Sequence, residues 1–152
     1  MAQRIPPHDD DAEIAVLGAL LIDREAALLS TELLKPEYFY TDANKEIFEG
    51  MQQLYEERKP IDIVTLTSTL KTRKVFDRVG GASYITSLAN AVPTAANIEH
   101  YASILREKYL RRSLITLAGN MTEQAFTEDE EAPQVLDNIE QSVYKLSQEN
   151  VK

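Results

Sequence analysis

The sequence predicts an all-α protein: a small helical globular domain followed by a protruding antiparallel helical hairpin. Three observations carry this reading. Apolar residues recur at the spacing of a helix face along most of the chain. The interruptions fall at Pro36, Pro60, Gly80-Gly81 and Pro93, residues that end or redirect helices. From Pro93 to Phe126 the helical pattern then runs on with only Gly119 and no further proline inside it. About thirty helical residues span roughly 45 Å, whereas the preceding ~95 residues would form a globule only about 30 Å across. The long helix must therefore project, and its apolar face needs a partner.

Each element has its own local signals. Met1 to His8 contains Pro6-Pro7 and reads as an extended arm over 1–8. Asp9-Asp10-Asp11 supply an N-cap and negative charge at the positive end of a helix dipole. The first helix carries Ile14, Leu17, Leu20 and Leu21 on one stripe and Ala15 and Ala19 beside it, so it belongs at the centre of the core. A short second helix is expected over Glu25 to Leu34, stopped by Pro36. After the aromatic connector Tyr38-Phe39-Tyr40, the next helix starts near Thr41 or Asp42 and shows Ile47, Phe48, Met51, Leu54 and Tyr55 on one face.

Asp62 to Leu70 has the β-branched residues of a strand, but a lone strand has no mate here and Asp62 can cap, so a helix is expected. Gly80-Gly81 marks a turn with positive φ, and Ser83 is expected to cap a helix containing Tyr84, Ile85, Leu88 and Ala89. Thr94 or Asn97 then caps the long helix. Its later half places Leu110, Leu114, Leu117 and Met121 on one stripe, widened by Ile115, Ala118 and Ala125. Thr127 to Glu131 is an acidic turn, and Pro133 fits the first turn of a last helix bearing Leu136, Ile139, Val143 and Leu146. The organisation is thus an arm (1–8), a globular subdomain (9–93), a hairpin (94–149) and the start of a linker (150–152).

The composition narrows the function. The chain has 152 residues, 43% of them hydrophobic, and no cysteine, which removes disulfides and thiolate metal sites. Its longest apolar run, Ile14 to Ile22, is far shorter than the roughly 20 residues needed to cross a bilayer; a soluble, cytoplasmic protein with no membrane contact is expected. Sixteen Lys and Arg against 25 Asp and Glu give a net charge of −9, the wrong sign for a protein held to nucleic acid by its general field.

No motif for chemistry is present. Asp9-Asp10-Asp11 lacks the converging loop ligands of a calcium or magnesium site and reads as a cap. His8 and His100 are far apart and in no metal-binding spacing. Phosphate-binding glycine loops and a nucleophile elbow are missing. No catalytic residue, metal ligand or cofactor site is therefore expected. Arg106, Lys108, Arg111 and Arg112 form one basic cluster. It reads either as a solvated helix face paired with acids or as the contact of a helical nucleic-acid-binding module, although the helix start, Ala95-Ala96-Asn97, lacks the side chains that read bases. The apolar stripes of the hairpin cannot all face one seam, so a self-associating hairpin, four helices between two chains, would bury the remainder.

Arg4-Ile5-Pro6-Pro7 followed by Ala12 to Leu21 resembles the opening of bacterial replicative DNA helicases of the DnaB type. Ile47-Phe48, Pro60 to Leu66, Gly80 to Tyr84, Ala91 to Asn97 and Tyr101 to Leu105 continue that resemblance in order, over residues 4 to about 112. The family's RecA-like ATPase domain has no counterpart in these residues, so the resemblance implies its N-terminal domain alone. ATP, Mg and unwinding belong to the other domain.

In that family the domain forms a collar on the hexameric ring, its hairpins pairing as a trimer of dimers. It also docks the C-terminal helicase-binding domain of primase during DNA replication, and a helicase loader is a further partner. Carried to this chain, the resemblance implies hairpin packing and subunit contact through Leu110, Leu114, Leu117, Met121, Ile139, Val143 and Leu146. Primase would bind where globule and hairpin meet, with Tyr84 and Ile115 as the candidate contacts.

Overall fold

Asp9 launches the first helix: its side chain accepts a hydrogen bond from the Ala12 amide at 2.9 Å, leaving Asp10, Asp11 and Glu13 in the first turn. The computed structural model describes residues 4–26, 33–91 and 96–150, and among them every regular element is helical. These are α1 (Asp10–Ile22), a 3-10 turn (Pro36–Tyr38), α2 (Asp42–Glu56), α3 (Ile63–Thr72), α4 (Gly81–Asn90), α5 (Ile98–Thr127) and α6 (Ala132–Asn150). The helix expected over Glu25 to Leu34 falls largely outside the described residues, as does Thr94. Asn97 stands directly before α5, its carbonyl accepting from the Tyr101 amide.

The chain divides into two compact units, His8–Tyr109 and Met1–Pro7 with Leu110–Lys152. In the first, α1 packs on α4 and α2 on α3, with lesser contact between α1 and α2 and between α3 and α4. The core is continuous: Leu17 and Leu20 of α1, Phe48, Met51 and Leu54 of α2, Leu66 and Leu70 of α3, and Ile85 and Leu88 of α4 are all fully buried. Phe39 stacks on Phe48, ring centres 4.9 Å apart. The unit runs past residue 93 because Ile98, Ala102 and Leu105 of α5 bury into the same core. In α2, a Cβ on Gly50 would lie 3.1 Å from Leu70, so the missing side chain lets α2 and α3 approach.

Asp62 to Leu70 is helical, as the cap argument requires. The Asp62 side chain accepts from the Thr65 amide at 2.9 Å, and Thr65 Oγ1 accepts from the Asp62 amide at 3.0 Å, a reciprocal capping box that outweighs the β propensity of the segment. Ser83 does not cap α4. It is the third residue of a helix that begins at Gly81, with Gly80 as N-cap at φ 115 and no side-chain cap. The two glycines close the preceding turn through a Gly81 amide to Phe76 carbonyl bond of 3.0 Å. That turn presents the Gly80 carbonyl to the Tyr84 amide, so the helix starts before Ser83.

In the second unit, a turn with Glu128 at φ 56 ends α5, and α6 begins with Pro133 in its first turn. Arg112 donates to the carbonyl of Pro7 at 2.8 Å, tying the N-terminal arm to the helix.

Replacing Asp62 with alanine removes the capping box and should cost about 1 kcal/mol in urea unfolding. Gly80→Ala should cost at least as much, ~1 kcal/mol or more, because the left-handed backbone is strained for alanine and the new Cβ would sit 2.6 Å from that of Tyr84.

Candidate protein-interaction site

A helix that finds no core keeps its apolar stripe on the surface, and the hairpin is in that position. Of the described residues 110–150, none is buried; the buried residues of α5 are Ile98, Ala102 and Leu105, all before that stretch. Leu110, Leu117, Ile139 and Leu146 are half-buried, whereas Leu114, Met121 and Val143 are exposed. Leu136 at 59%, Ile115 at 56% and Tyr144 at 66% lie more open still. All seven residues expected at the subunit contact belong to one unit, four of them partly covered and three exposed. Two helices have a single seam, which covers only part of a stripe this wide.

Tyr84 and Ile115 fall in different units. Ile115 is open on the hairpin, while Tyr84 is half-buried on α4 and belongs to a polar network that the sequence reading did not anticipate. At its centre is Glu13 of α1, 0% exposed. Its carboxylate accepts from the amides of Tyr40 at 2.9 Å and Thr41 at 3.4 Å, just before α2, and from Asn44 Nδ2 at 2.9 Å. The Tyr84 hydroxyl donates to Asn44 Oδ1. Burial pushes the Tyr84 phenol above its ordinary value, and the nearby Glu13 and Asp10 carboxylates act in the same direction. Each of these polar atoms has a partner inside the protein, so the network is a structural element that anchors Tyr84. A signal for it was present in the sequence: Glu13 is the sole acid between Ala12 and Ile22, in an otherwise apolar helix.

The basic cluster is divided between the units: Arg106 and Lys108 lie on the globular side of the division and Arg111 and Arg112 on the hairpin side. Arg112 is committed to Pro7, and Arg106 and Arg111 are also engaged within the protein. Asp9 caps α1, and His8 stacks on Tyr40 at 4.4 Å with its Nε2 3.6 Å from Asp10. Among the described residues no group of three His, Cys, Asp or Glu is placed to hold a metal, and no helix is long and apolar enough to cross a membrane.

Residues 5–107 match the family model described as the DnaB-like helicase N-terminal domain. The replicative DNA helicase DnaB of Geobacillus stearothermophilus is 40% identical over 147 residues, 97% of this chain and 32% of that protein. The replicative DNA helicase DnaC of Bacillus subtilis is 39% identical over 145 residues, 95% of this chain and 32% of that one. The chain therefore spans about a third of the length of these curated relatives. Among solved structures, the N-terminal domain of DnaB helicase from Mycobacterium tuberculosis matches with a TM-score of 0.88 at 34% identity, covering 93% of this chain and 99% of that one. A DnaB-like replicative helicase, solved in work on its interactions with primase, matches with a TM-score of 0.70 at 26% identity, covering 88% of this chain and 31% of that one.

Two substitutions test the buried network. Glu13→Leu strands three donors and should cost roughly 3 kcal/mol or more, while Tyr84→Phe should cost about 1 kcal/mol. Because the folded-state pKa of Tyr84 is raised, its contribution is fully present below about pH 10 and is lost as pH rises through the folded value. Denaturant midpoints of the native chain should fall above that pH, and Tyr84→Phe should flatten the decline.

Proposed function

The chain belongs to the DnaB-like helicase N-terminal domain family, and from that premise we propose that it is an assembly and docking module of a bacterial replicative helicase. It joins helicase subunits through its hairpin and receives primase during DNA replication in the cytoplasm. One observation carries the first half: no described residue from 110 to 150 is buried, although the stretch carries leucine, isoleucine, valine and methionine at helical spacing. An apolar face of this kind is covered most economically by a copy of itself, because a twofold axis brings the same patch to both sides of one interface. Two hairpins pairing in this way make a four-helix arrangement with the interior that each lacks.

The primase half is supported by likeness to the helicase studied with primase and by the exposure of Ile115. Tyr84 offers only the outer part of its ring, since its hydroxyl is held by Asn44. No step of ATP hydrolysis or strand separation is assigned to these residues. A nucleic-acid role for Arg106, Lys108, Arg111 and Arg112 draws little support, because Arg106, Arg111 and Arg112 already have partners within the protein.

Light scattering of the chain should report a dimer or larger assembly, and Leu136→Glu with Val143→Glu should reduce it to the monomer mass with helicity unchanged. An assembly indifferent to both changes would remove the hairpin from the contact. Calorimetry with the primase C-terminal domain should show Ile115→Glu weakening binding by about tenfold or more, as for a residue worth over 1 kcal/mol in an interface; unchanged affinity would sink that assignment.

A further inference from the structure

Helices α1 and α2 leave a groove at their last turns. The network of Glu13, Asn44 and Tyr84 joins their first turns, at the other end of both helices. The groove lies where α1 and α2 finish and the chain approaches α3, and it holds about 440 Å³. That is the size of sites that seat a small ligand or a few side chains. Leu21, Tyr55 and Ile61, all half-buried, give it an apolar lining. Ile22, on its wall, and Ile63 and Val64, two and three residues beyond Ile61, are exposed as well. Apolar surface gathered in this way at one place marks a contact.

Three cations, Arg24, Arg58 and Lys59, stand around that lining. Asp23 is the one acid among the described residues that form it, and its Oδ1 accepts from the Glu25 amide at 2.9 Å, so it is turned to its own backbone. Glu25, Glu56 and Glu57 are neighbours in sequence but do not line the groove. Lys59 lies 3.6 Å from Glu57, an exposed pair of little strength. Among the described residues no ion pair engages Arg24 or Arg58. In a chain of net charge −9, three cations around an open apolar lining complement a negative ligand with an apolar part. Single-stranded nucleic acid is held on successive aromatic rings. Here one ring stands among leucine and isoleucine, a lining that suits a hydrocarbon side chain better than a base.

We propose that this groove binds a short acidic segment of another protein. One large apolar side chain of that segment seats against Leu21, Tyr55 and Ile61, and carboxylates on either side of it face Arg24, Arg58 and Lys59. The anchor supplies most of the affinity, as a buried apolar side chain does at an interface. The carboxylates steer the encounter and fix the register. The groove lies wholly within the globular unit. It shares no residue with the hairpin stripes or with the Tyr84 and Ile115 contact, and it stands whether or not those readings hold.

The probe is a fluorescein-labelled octapeptide with three acids on each side of a Phe-Leu pair. Titrated with the chain and read by anisotropy, it should bind saturably, with an affinity that falls as salt rises from about 0.05 M to about 0.5 M. Arg58→Glu with Lys59→Glu should weaken binding about tenfold or more. Lys71→Glu with Lys74→Glu makes the same change of charge on exposed lysines outside the groove and should leave binding nearly unchanged. A peptide with Ser-Ser in place of Phe-Leu tests the anchor on the unaltered chain and should also bind about tenfold more weakly or worse. Absence of saturable binding overturns the proposal. Equal losses from the two pairs of lysine and arginine substitutions do so too, since they reduce the effect to general charge, as does a Ser-Ser peptide that binds as well. A thymidine decamer that displaces the peptide, with the same dependence on Arg58 and Lys59, would assign the groove to nucleic acid and overturn it. Displacement by the primase C-terminal domain would make the groove part of that contact, with the same consequence.

Discussion

The globular unit is organised around one buried carboxylate. Helix α1 is apolar on nearly every side, so most of its length is enclosed, and Glu13 is enclosed with it. Taking such a group out of water costs several kcal/mol unless donors replace the lost hydration. The donors come from the start of α2: the Tyr40 and Thr41 amides and the Asn44 side chain. Backbone N–H groups before a helix are otherwise unsatisfied, and a helix N-terminus favours negative charge. One interaction therefore satisfies both the acid and the helix start, and it sets where α2 begins against α1. Through Asn44 and Tyr84 it also reaches α4.

The hairpin has the opposite character. From residue 110 onward its helices carry leucine and isoleucine at core spacing, yet no described residue there is buried. In the globule, apolar stripes from five helices converge on one interior; two helices alone form a single seam. Stability there comes from whatever covers the stripes, since helical propensity alone supports isolated helices poorly in water. This difference between the two units is what the proposed assembly role draws on: one has an interior of its own, and the other leaves apolar side chains exposed.

Much of this was legible in the amino-acid order. Helix spacing, proline and glycine breaks and the Asp62 cap locate α2, α3, α5 and α6, and the length of the pattern after Pro93 already implies an uncovered face. The start of α4 was misplaced because Ser83 is an ordinary capping residue, while the actual cap, Gly80, acts through backbone shape rather than a side chain. Glu13 stands out as a lone acid in an apolar helix, but its partners are not legible, because they lie 27 to 31 residues away and periodicity says nothing about pairs at that distance.

The proposed assembly role requires that another chain cover the hairpin. Amide hydrogen exchange measured at several protein concentrations tests this most directly, since a bound partner adds protection by mass action. Protection of residues 110–126 and 135–146 should rise with concentration, while that of Leu17, Phe48 and Ile85 in the globule stays constant. Hairpin protection that is strong and independent of concentration would contradict the claim.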